Sequence, residues 1–280
     1  MAQVGVVGAG LMGTEIALTF ALSGHEVVLN DREPGILDRA IERAHKLLRK
    51  GEERGLFGSD ALASLDRIRT ETSLDAFSNV LFVTEAVFEQ DDIKGAVLAA
   101  LDKVCKPDCI IATNTSTIPI STLARHLSAD RRPQFVGTHY FSPVTRMKLV
   151  EVIQGFETGE TTVAFVARLL ETVGKVPIRV KDVAGFAVNR MLHAFLIEAV
   201  RLVEDGVATP EDLDKACMLG LGHPIGPFAL MDAVTSSLCV EVQDILQEAY
   251  GERFRPPALL KQRVRAGLVG GKGKPGWTNQ

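Results

Sequence analysis

The chain has 280 residues, of which 46% are hydrophobic and 24% charged, and its formal net charge is −4. This is the composition of an ordinary globular protein, and the charge argues against a nucleic acid or another polyanion as partner. No apolar run reaches membrane-spanning length, and Met1 leads directly into a strand pattern without a targeting segment, so we expect a cytoplasmic protein. The four cysteines form no C-x-x-C pair, which predicts free thiols and no metal site.

A dinucleotide-binding pattern begins at the first strand, Val4–Val7. The glycine run Gly8-Ala9-Gly10-Leu11-Met12-Gly13 follows, then a helix over Thr14–Leu22 and a second strand over Glu26–Asn30. In such a pattern the first glycine permits a tight turn, the second lets the backbone approach a pyrophosphate, and the third allows close helix packing. The start of the helix then offers N–H groups and a positive dipole end to the phosphates.

Asp31 stands at the end of the second strand, where a carboxylate can accept hydrogen bonds from ribose hydroxyls. Its negative charge would repel a 2′-phosphate, so NAD is favoured over NADP, although the adjacent Arg32 offers that phosphate a partner. The alternative interpretation is a strand-to-helix turn that merely requires glycine. Because the strand, the helix, the second strand and the acid occur together in order, the pattern predicts an NAD site.

Strands and helices continue to alternate, which predicts a Rossmann-like α/β domain with a doubly wound, mostly parallel sheet over residues 1–183. The charged segment 39–65, with its glycine breaks, predicts a projecting helical hairpin. Further helices are predicted over Pro34–Arg49, Asp92–Cys105 and Thr161–Val173, and further strands over Val80–Thr84, Cys109–Thr113, Phe135–Thr138, Leu149–Ile153 and Val176–Val180.

Residues 184–280 carry no convincing strand pattern, which predicts an all-helical carboxyl-terminal domain. A helical domain with this much apolar surface commonly buries part of it against a second copy, so we expect a homodimer through this domain. Its helices are predicted over Phe186–Val203, after the cap Thr209-Pro210, over Ala229–Tyr250 and over Pro257–Ala266.

Two residues of the middle strands are candidates for proton transfer. His139 ends a strand, and an imidazole is the natural proton acceptor near neutral pH. Glu151 lies within the apolar run Leu149–Ile153, where a carboxylate is costly unless it is paired. Glu151 could therefore accept a hydrogen bond from one ring nitrogen of His139 and leave the other as base. A structural histidine and an edge-strand charge are the plainer interpretations, and both stay open at this point.

Polar residues also follow the strand Cys109–Thr113, in the run Asn114-Thr115-Ser116-Thr117. The carboxyl end of a parallel strand faces the ligand crevice, so these side chains are candidates for cofactor and substrate contacts. The alternative is a cap for the next helix. Asn189 opens the first helix of the predicted second domain and offers an amide donor, or else it is ordinary helix-start polarity.

Seven motifs between Val4 and Asp232 together carry a likeness to a known family. The chain resembles the L-3-hydroxyacyl-CoA dehydrogenases, and it is especially similar to the short, single-function bacterial 3-hydroxybutyryl-CoA type. The matching runs are GAGLMG, TEAVFE, NTST, GTHYFSP, MKLVEVI, GFAVNR and HPIGPFALMD.

The resemblance implies reversible, NAD-dependent oxidation of a 3-hydroxyacyl-CoA, short in its acyl chain, to the 3-oxoacyl-CoA. It implies that His139 is the general base and Glu151 its orienting carboxylate, and that Ser116 and Asn189 hydrogen-bond the substrate's oxygens. The other implied contacts are Glu89 and Lys94 around the nicotinamide ribose, with Arg49 and Lys50 as candidates for the CoA phosphates.

Three places depart from the family's pattern, namely Thr145-Arg146 after the Ser-Pro turn, Thr235 where glycine is usual, and the tail 270–277. These departures leave two alternatives open. One is a dehydrogenase of the same two-domain class that acts on a free hydroxy acid or polyol, whose carboxylate Arg146 could bind. The other is a non-catalytic NAD-binding scaffold, although such a scaffold would not need both His139 and Glu151.

Overall fold

The structure, a computed structural model, describes residues 3–58 and 60–278. The chain divides into two compact units, Met1–Val183 and Ala184–Gln280. In the described part of the chain, no helix combines the length and apolar character that crossing a bilayer requires. The predicted free thiols are confirmed, because all four cysteines are unbridged and buried.

Across the described residues, one eight-stranded sheet runs through the amino-terminal unit in the order β3-β2-β1-β4-β5-β6-β7-β8. Neighbouring strands pair in parallel, except β6 and β7, which are antiparallel. The predicted Rossmann-like, mostly parallel sheet is thus confirmed. The strands are β1 (Gln3–Val7), β2 (Glu26–Asn30), β3 (Ile68–Glu71), β4 (Phe82–Glu85), β5 (Ile110–Thr113), β6 (Phe135–Tyr140), β7 (Leu149–Gln154) and β8 (Val176–Lys181).

Among the residues that the structure describes in this unit, five α-helices accompany the sheet: α1 (Leu11–Leu22), α2 (Pro34–Glu53), α3 (Asp91–Val104), α4 (Ile120–Ala124) and α5 (Glu160–Thr172). The main core joins α1, through Ile16 and Phe20, to apolar strand residues such as Val6 and to Val166 of α5. Strands buried on both faces need continuous apolar runs, which is why β1 and β2 could be read from the sequence.

The segment predicted as a helical hairpin has one long arm and one short arm. The long arm is α2, and the short arm is a 3-10 helix over Ala61–Arg67 rather than a second α-helix. Ala44 and Leu48 of α2 pack with Ala61 against Leu18 of α1 in a small apolar cluster. This cluster attaches the segment to α1, because the apolar face of α2 is buried against it and is not left uncovered.

The regular elements of the carboxyl-terminal unit are all helices in its described residues, as predicted. Its core is built from Leu196, Phe228, Leu260 and Trp277, and the Phe228 and Trp277 rings lie 4.9 Å apart. Its α-helices are α6 (Val188–Glu204), α7 (Pro210–Gly220), α8 (Pro227–Val234), α9 (Ser236–Tyr250) and α10 (Ala258–Arg265).

The prediction of one helix over Ala229–Tyr250 is wrong, because the chain breaks between α8 and α9. Thr235 adopts a φ of +83°, a conformation that disfavours residues with a Cβ, and β-branched residues most of all. The Ser236 N–H donates to the Val269 carbonyl at 2.8 Å, while the Thr235 hydroxyl accepts from the Leu238 N–H at 3.4 Å. Tertiary hydrogen bonds therefore override a pattern of apolar residues that runs through the break.

The strain at Thr235 predicts that Thr235→Gly stabilises the protein. Glycine relieves the positive φ, and its loss of the helix-capping hydroxyl costs only a few tenths of a kcal/mol, so the free energy of unfolding should rise by about 1 kcal/mol. Urea unfolding measures the change. Thr235→Ala is the matched control, since it keeps the Cβ and loses the cap, and it should be less stable than the parent. Equal or lower stability of the glycine variant would refute strain at this position.

Candidate active site

His139 and Glu151 form a buried hydrogen-bonded pair between two neighbouring strands. β6 and β7 run antiparallel with these two residues directly opposite each other, so both side chains leave the same face of the sheet. The Nδ1 atom of His139 lies 2.7 Å from Glu151 Oε2, and both side chains are buried. An ionised carboxylate can only accept, so Nδ1 carries the proton of this hydrogen bond and Nε2 is left basic.

Ser116 lies against the other nitrogen of the same imidazole. Its hydroxyl oxygen is 3.1 Å from His139 Nε2, and the serine belongs to the segment that follows β5. The Phe141 ring contacts the His139 ring at a centroid distance of 4.7 Å. A hydroxyl beside a basic nitrogen marks the place where a substrate hydroxyl can give up its proton.

Glu89 holds the segment that carries Ser116. One carboxylate oxygen accepts hydrogen bonds from the Ser116 and Thr117 N–H groups, at 2.8 and 2.9 Å, and from the Thr115 hydroxyl at 2.6 Å. Burial by itself raises the pKa of Glu89, but the charge of Lys94 and these hydrogen bonds outweigh it and hold the pKa below its ordinary value. Glu89 is therefore a charged anchor for the Ser116 segment.

Lys94 and Glu85 form a buried ion pair behind Glu89. The Lys94 ammonium lies 2.9 Å from Glu85 Oε1 and 3.2 Å from Glu89 Oε2, and Glu85 also accepts from the Thr113 hydroxyl at 2.7 Å. Sequence reasoning missed Glu85. The argument that singled out Glu151, a carboxylate within an apolar strand, applies equally to Glu85 in β4 and would have found it.

The glycine turn fits a dinucleotide. A Cβ on Gly8, whose φ is +96°, would lie 2.7 Å from the Ala86 carbonyl oxygen, and one on Gly13 would lie 1.8 Å from the Gly8 carbonyl oxygen, so the chain itself requires both glycines. A Cβ on Gly10 would meet no protein atom within 4 Å. Gly10 thus keeps open the space before the start of α1, where no side chain caps the N–H groups of the first turn.

The acid predicted for the ribose lies beside this turn. Asp31 accepts from the Ala9 N–H at 3.0 Å with one carboxylate oxygen and from the Glu33 N–H at 3.2 Å with the other. These bonds aim the carboxylate along the edge of the glycine turn. Leu11 and Met12 form the first turn of α1, which begins earlier than the predicted Thr14, and Leu11 is exposed. These residues can hold NAD through backbone donors and one carboxylate.

Asn114 acts within the framework of the site in this structure. Its side-chain oxygen accepts from the Tyr140 N–H at 3.0 Å, and its own N–H donates to the Glu85 carbonyl at 2.8 Å. The ends of β4, β5 and β6 are thereby tied together next to His139. Contact between Asn114 and the cofactor stays a prediction.

The remaining candidates are Arg32, Arg49, Lys50 and Asn189. Arg32 is highly exposed and pairs only loosely with Glu33, at 3.7 Å, while Arg49 and Lys50 are exposed on the last turns of α2. Asn189 lies in the first turn of α6, in the carboxyl-terminal unit, and is half-buried. Contacts of these four residues with cofactor or substrate stay predictions.

Comparison with known protein families covers nearly the whole chain. The NAD-binding domain of 3-hydroxyacyl-CoA dehydrogenases matches residues 3–183, and the C-terminal domain of these enzymes matches residues 185–280. The chain belongs to the 3-hydroxyacyl-CoA dehydrogenase family. Its amino-terminal unit is therefore the family's NAD-binding domain, and the dinucleotide is NAD.

This 3-hydroxyacyl-CoA dehydrogenase family member is similar to curated bacterial proteins along their full length. It is 40% identical over 277 residues to the probable 3-hydroxybutyryl-CoA dehydrogenase of Deinococcus radiodurans, covering 98% of this chain and 99% of the relative. It is 37% identical over 278 residues to the 3-hydroxybutyryl-CoA dehydrogenase of Clostridioides difficile, covering 98% of both. The crystal structure of (S)-3-hydroxybutyryl-CoA dehydrogenase from Ralstonia eutropha superposes with a TM-score of 0.93 at 36% identity and covers 98% of each chain.

The buried ion pair predicts an unequal response to two similar substitutions. Glu85→Gln leaves the Lys94 ammonium buried with half of its compensating charge, so the free energy of unfolding should fall by about 3–5 kcal/mol. Asp244→Asn removes the partner of Lys261 from an exposed pair of similar length, 2.8 Å, and should cost less than about 1 kcal/mol. Urea unfolding compares the two variants. Equal losses of unfolding free energy in the two variants would contradict the conclusion that Glu85 compensates a buried charge.

Proposed function

We propose that this chain interconverts a (3S)-3-hydroxyacyl-CoA and the 3-oxoacyl-CoA with NAD, and that its substrate is a short-chain thioester such as 3-hydroxybutyryl-CoA. The observation that carries the proposal is the imidazole of His139, bonded to Glu151 through Nδ1 and facing the Ser116 hydroxyl through Nε2. It lies in a unit that belongs to the NAD-binding domain of this family. The printed names of the bacterial relatives support the choice of acyl group.

In this proposal His139 transfers the proton of the reacting hydroxyl. NAD supplies the hydride acceptor when it is bound. As the C3–H bond gives up its hydride, Nε2 of His139 takes the proton of the 3-hydroxyl group, and the C3 oxygen becomes a carbonyl. The imidazole becomes positively charged, and the buried Glu151 carboxylate stabilises that charge and holds the ring in place. In the reverse direction His139 returns the proton.

Ser116 and Asn189 position the reacting oxygen in the proposed mechanism. The Ser116 hydroxyl lies next to the proton acceptor, and the four hydrogen bonds to Glu89 fix the segment on which it is carried. Such positioning lowers the barrier without covalent chemistry. Arg49 and Lys50 are proposed for the CoA phosphates because they are exposed cations on α2.

The proposal predicts that His139→Gln reduces kcat about 10²- to 10⁴-fold while NADH binding is retained, because the proton acceptor is lost and the glycine turn is unchanged. The reduction of acetoacetyl-CoA, followed by the loss of NADH absorbance, measures kcat, and fluorescence titration measures NADH binding. Free 3-hydroxybutyrate and a polyol are the comparison substrates for the reverse reaction. Full activity of the variant, or a preference for the free acid, would refute the proposal.

Glu151→Gln is expected to lower kcat less than loss of the base, about 10- to 100-fold, because the amide still positions the ring but no longer stabilises its charge. The wild-type and variant profiles of kcat against pH are the measurement. The two profiles should differ, because a neutral amide replaces the carboxylate beside the ring. Two superimposable profiles would show that Glu151 does not act on His139.

We also propose that the protein is a cytoplasmic homodimer. The carboxyl-terminal unit exposes large apolar side chains, among them Leu219, Leu221 and Val207, which are 65–85% exposed. Apolar surface of this kind is commonly covered by a partner chain. Light scattering should give twice the chain mass of 30.3 kDa. A single species at the mass of one chain would exclude the dimer.

A further inference from the structure

A second buried ammonium, that of Lys175, lies outside the ion pairs of the site. Lys175 precedes β8 directly, and its side chain is buried. Its ammonium donates hydrogen bonds to the Val144 carbonyl and, at 2.9 Å, to the Met147 carbonyl. Both carbonyls belong to the segment 141–148, which joins the strand of His139 to the strand of Glu151. The lysine therefore contacts the connection between the two proposed catalytic strands.

Several kinds of contact hold this connection in place. The Arg146 and Met147 N–H groups donate to the Pro143 carbonyl, at 3.0 and 2.9 Å, and close the turn internally. The Val144 side chain is buried in the main core. The Lys175 ammonium completes the set, and the next residue, Val176, donates its N–H to the Lys148 carbonyl at 2.8 Å. The position of the turn thus depends on the Lys175 ammonium, a charge whose burial in the surrounding core costs free energy.

A buried carboxylate on α1 acts on this charge. Glu15 of α1 is buried, and one of its carboxylate oxygens is without a hydrogen-bond partner in the structure. Burial lowers the pKa of the Lys175 ammonium, and the negative charge of Glu15 opposes that effect.

We propose that Lys175 is a positioning residue of the active site, which holds the turn 143–147 and thereby fixes how His139 and Glu151 face each other. The antiparallel register of β6 and β7 places these two residues opposite each other, and a one-residue slip would send them to opposite faces of the sheet. The kinetic part of this inference rests on the proposed function.

The test is the double variant Lys175→Met/Glu15→Gln. It removes both charges with little change in volume, so we expect the variant to fold, but the two turn carbonyls lose their donor. We expect kcat for acetoacetyl-CoA reduction to fall at least tenfold and the KM for NADH to stay within twofold. The imidazole NMR signals of His139, assigned with His139→Gln, should also shift. Lys181→Met, an exposed lysine on β8, is the control and should match the wild type in all three measurements.

Several results would overturn the inference. A double variant with wild-type kcat and unshifted His139 signals excludes a positioning role. The role is also excluded if Lys175→Met alone loses activity and the double variant regains it, because charge balance alone would then explain the effect of Lys175. If the double variant does not fold, the single variant Glu15→Gln tests the positioning role instead. It keeps the lysine on the turn and should retain both kcat and the His139 signals, whereas loss of either refutes the inference. An inactive wild type would refute the proposed function alone, and the NMR signals would then decide on Lys175.

Discussion

The proposed chemistry depends on the direction of one strand. Every other neighbouring pair in the described sheet is parallel, but β7 runs antiparallel to β6, and this places Glu151 directly opposite His139. In an antiparallel ladder the side chains of an opposed pair lie close together on one face, so a carboxylate and an imidazole can meet there. The strands are short, and the hydrogen bond between the two side chains exists only in this register.

Buried charges surround this pair and keep the site in one geometry. The buried pair of Glu85 and Lys94 supports the more exposed Glu89, which holds the Ser116 segment beside the imidazole, and the buried Lys175 ammonium bonds to the turn between β6 and β7. Each such charge costs free energy to bury, and each interaction is strong because little water screens it. The buried charges therefore lower the stability of the amino-terminal unit, but they fix the positions of the groups around one proton acceptor. This is the form of preorganisation that lowers the barrier of a reaction.

Individual residues show how far sequence reasoning reached. The strand, glycine turn and helix at the start of the chain were predicted in order, since Gly8 and Gly13 each meet a steric requirement of the turn and the strands are apolar throughout. The pairing of His139 with Glu151 was predicted only as one of two interpretations. The argument that identified Glu151 could also have identified Glu85. It could not have identified Lys175, because nothing in the sequence distinguishes a lysine before a strand from an ordinary surface lysine. The break at Thr235 was missed, because the apolar pattern continues across it.

The sequence by itself determined β1, α1 and β2, the alternation of strands and helices, the glycine turn and the family, because these depend on neighbours within a few residues or on motifs that can be read in line. Only the tertiary structure decided that β7 runs against β6, that Lys94 and Lys175 are buried, and that Asn114 bonds to the Tyr140 N–H. Those features join residues distant in the chain. Their physical basis is the register of strands and the exclusion of water, and both arise only when separate segments pack together.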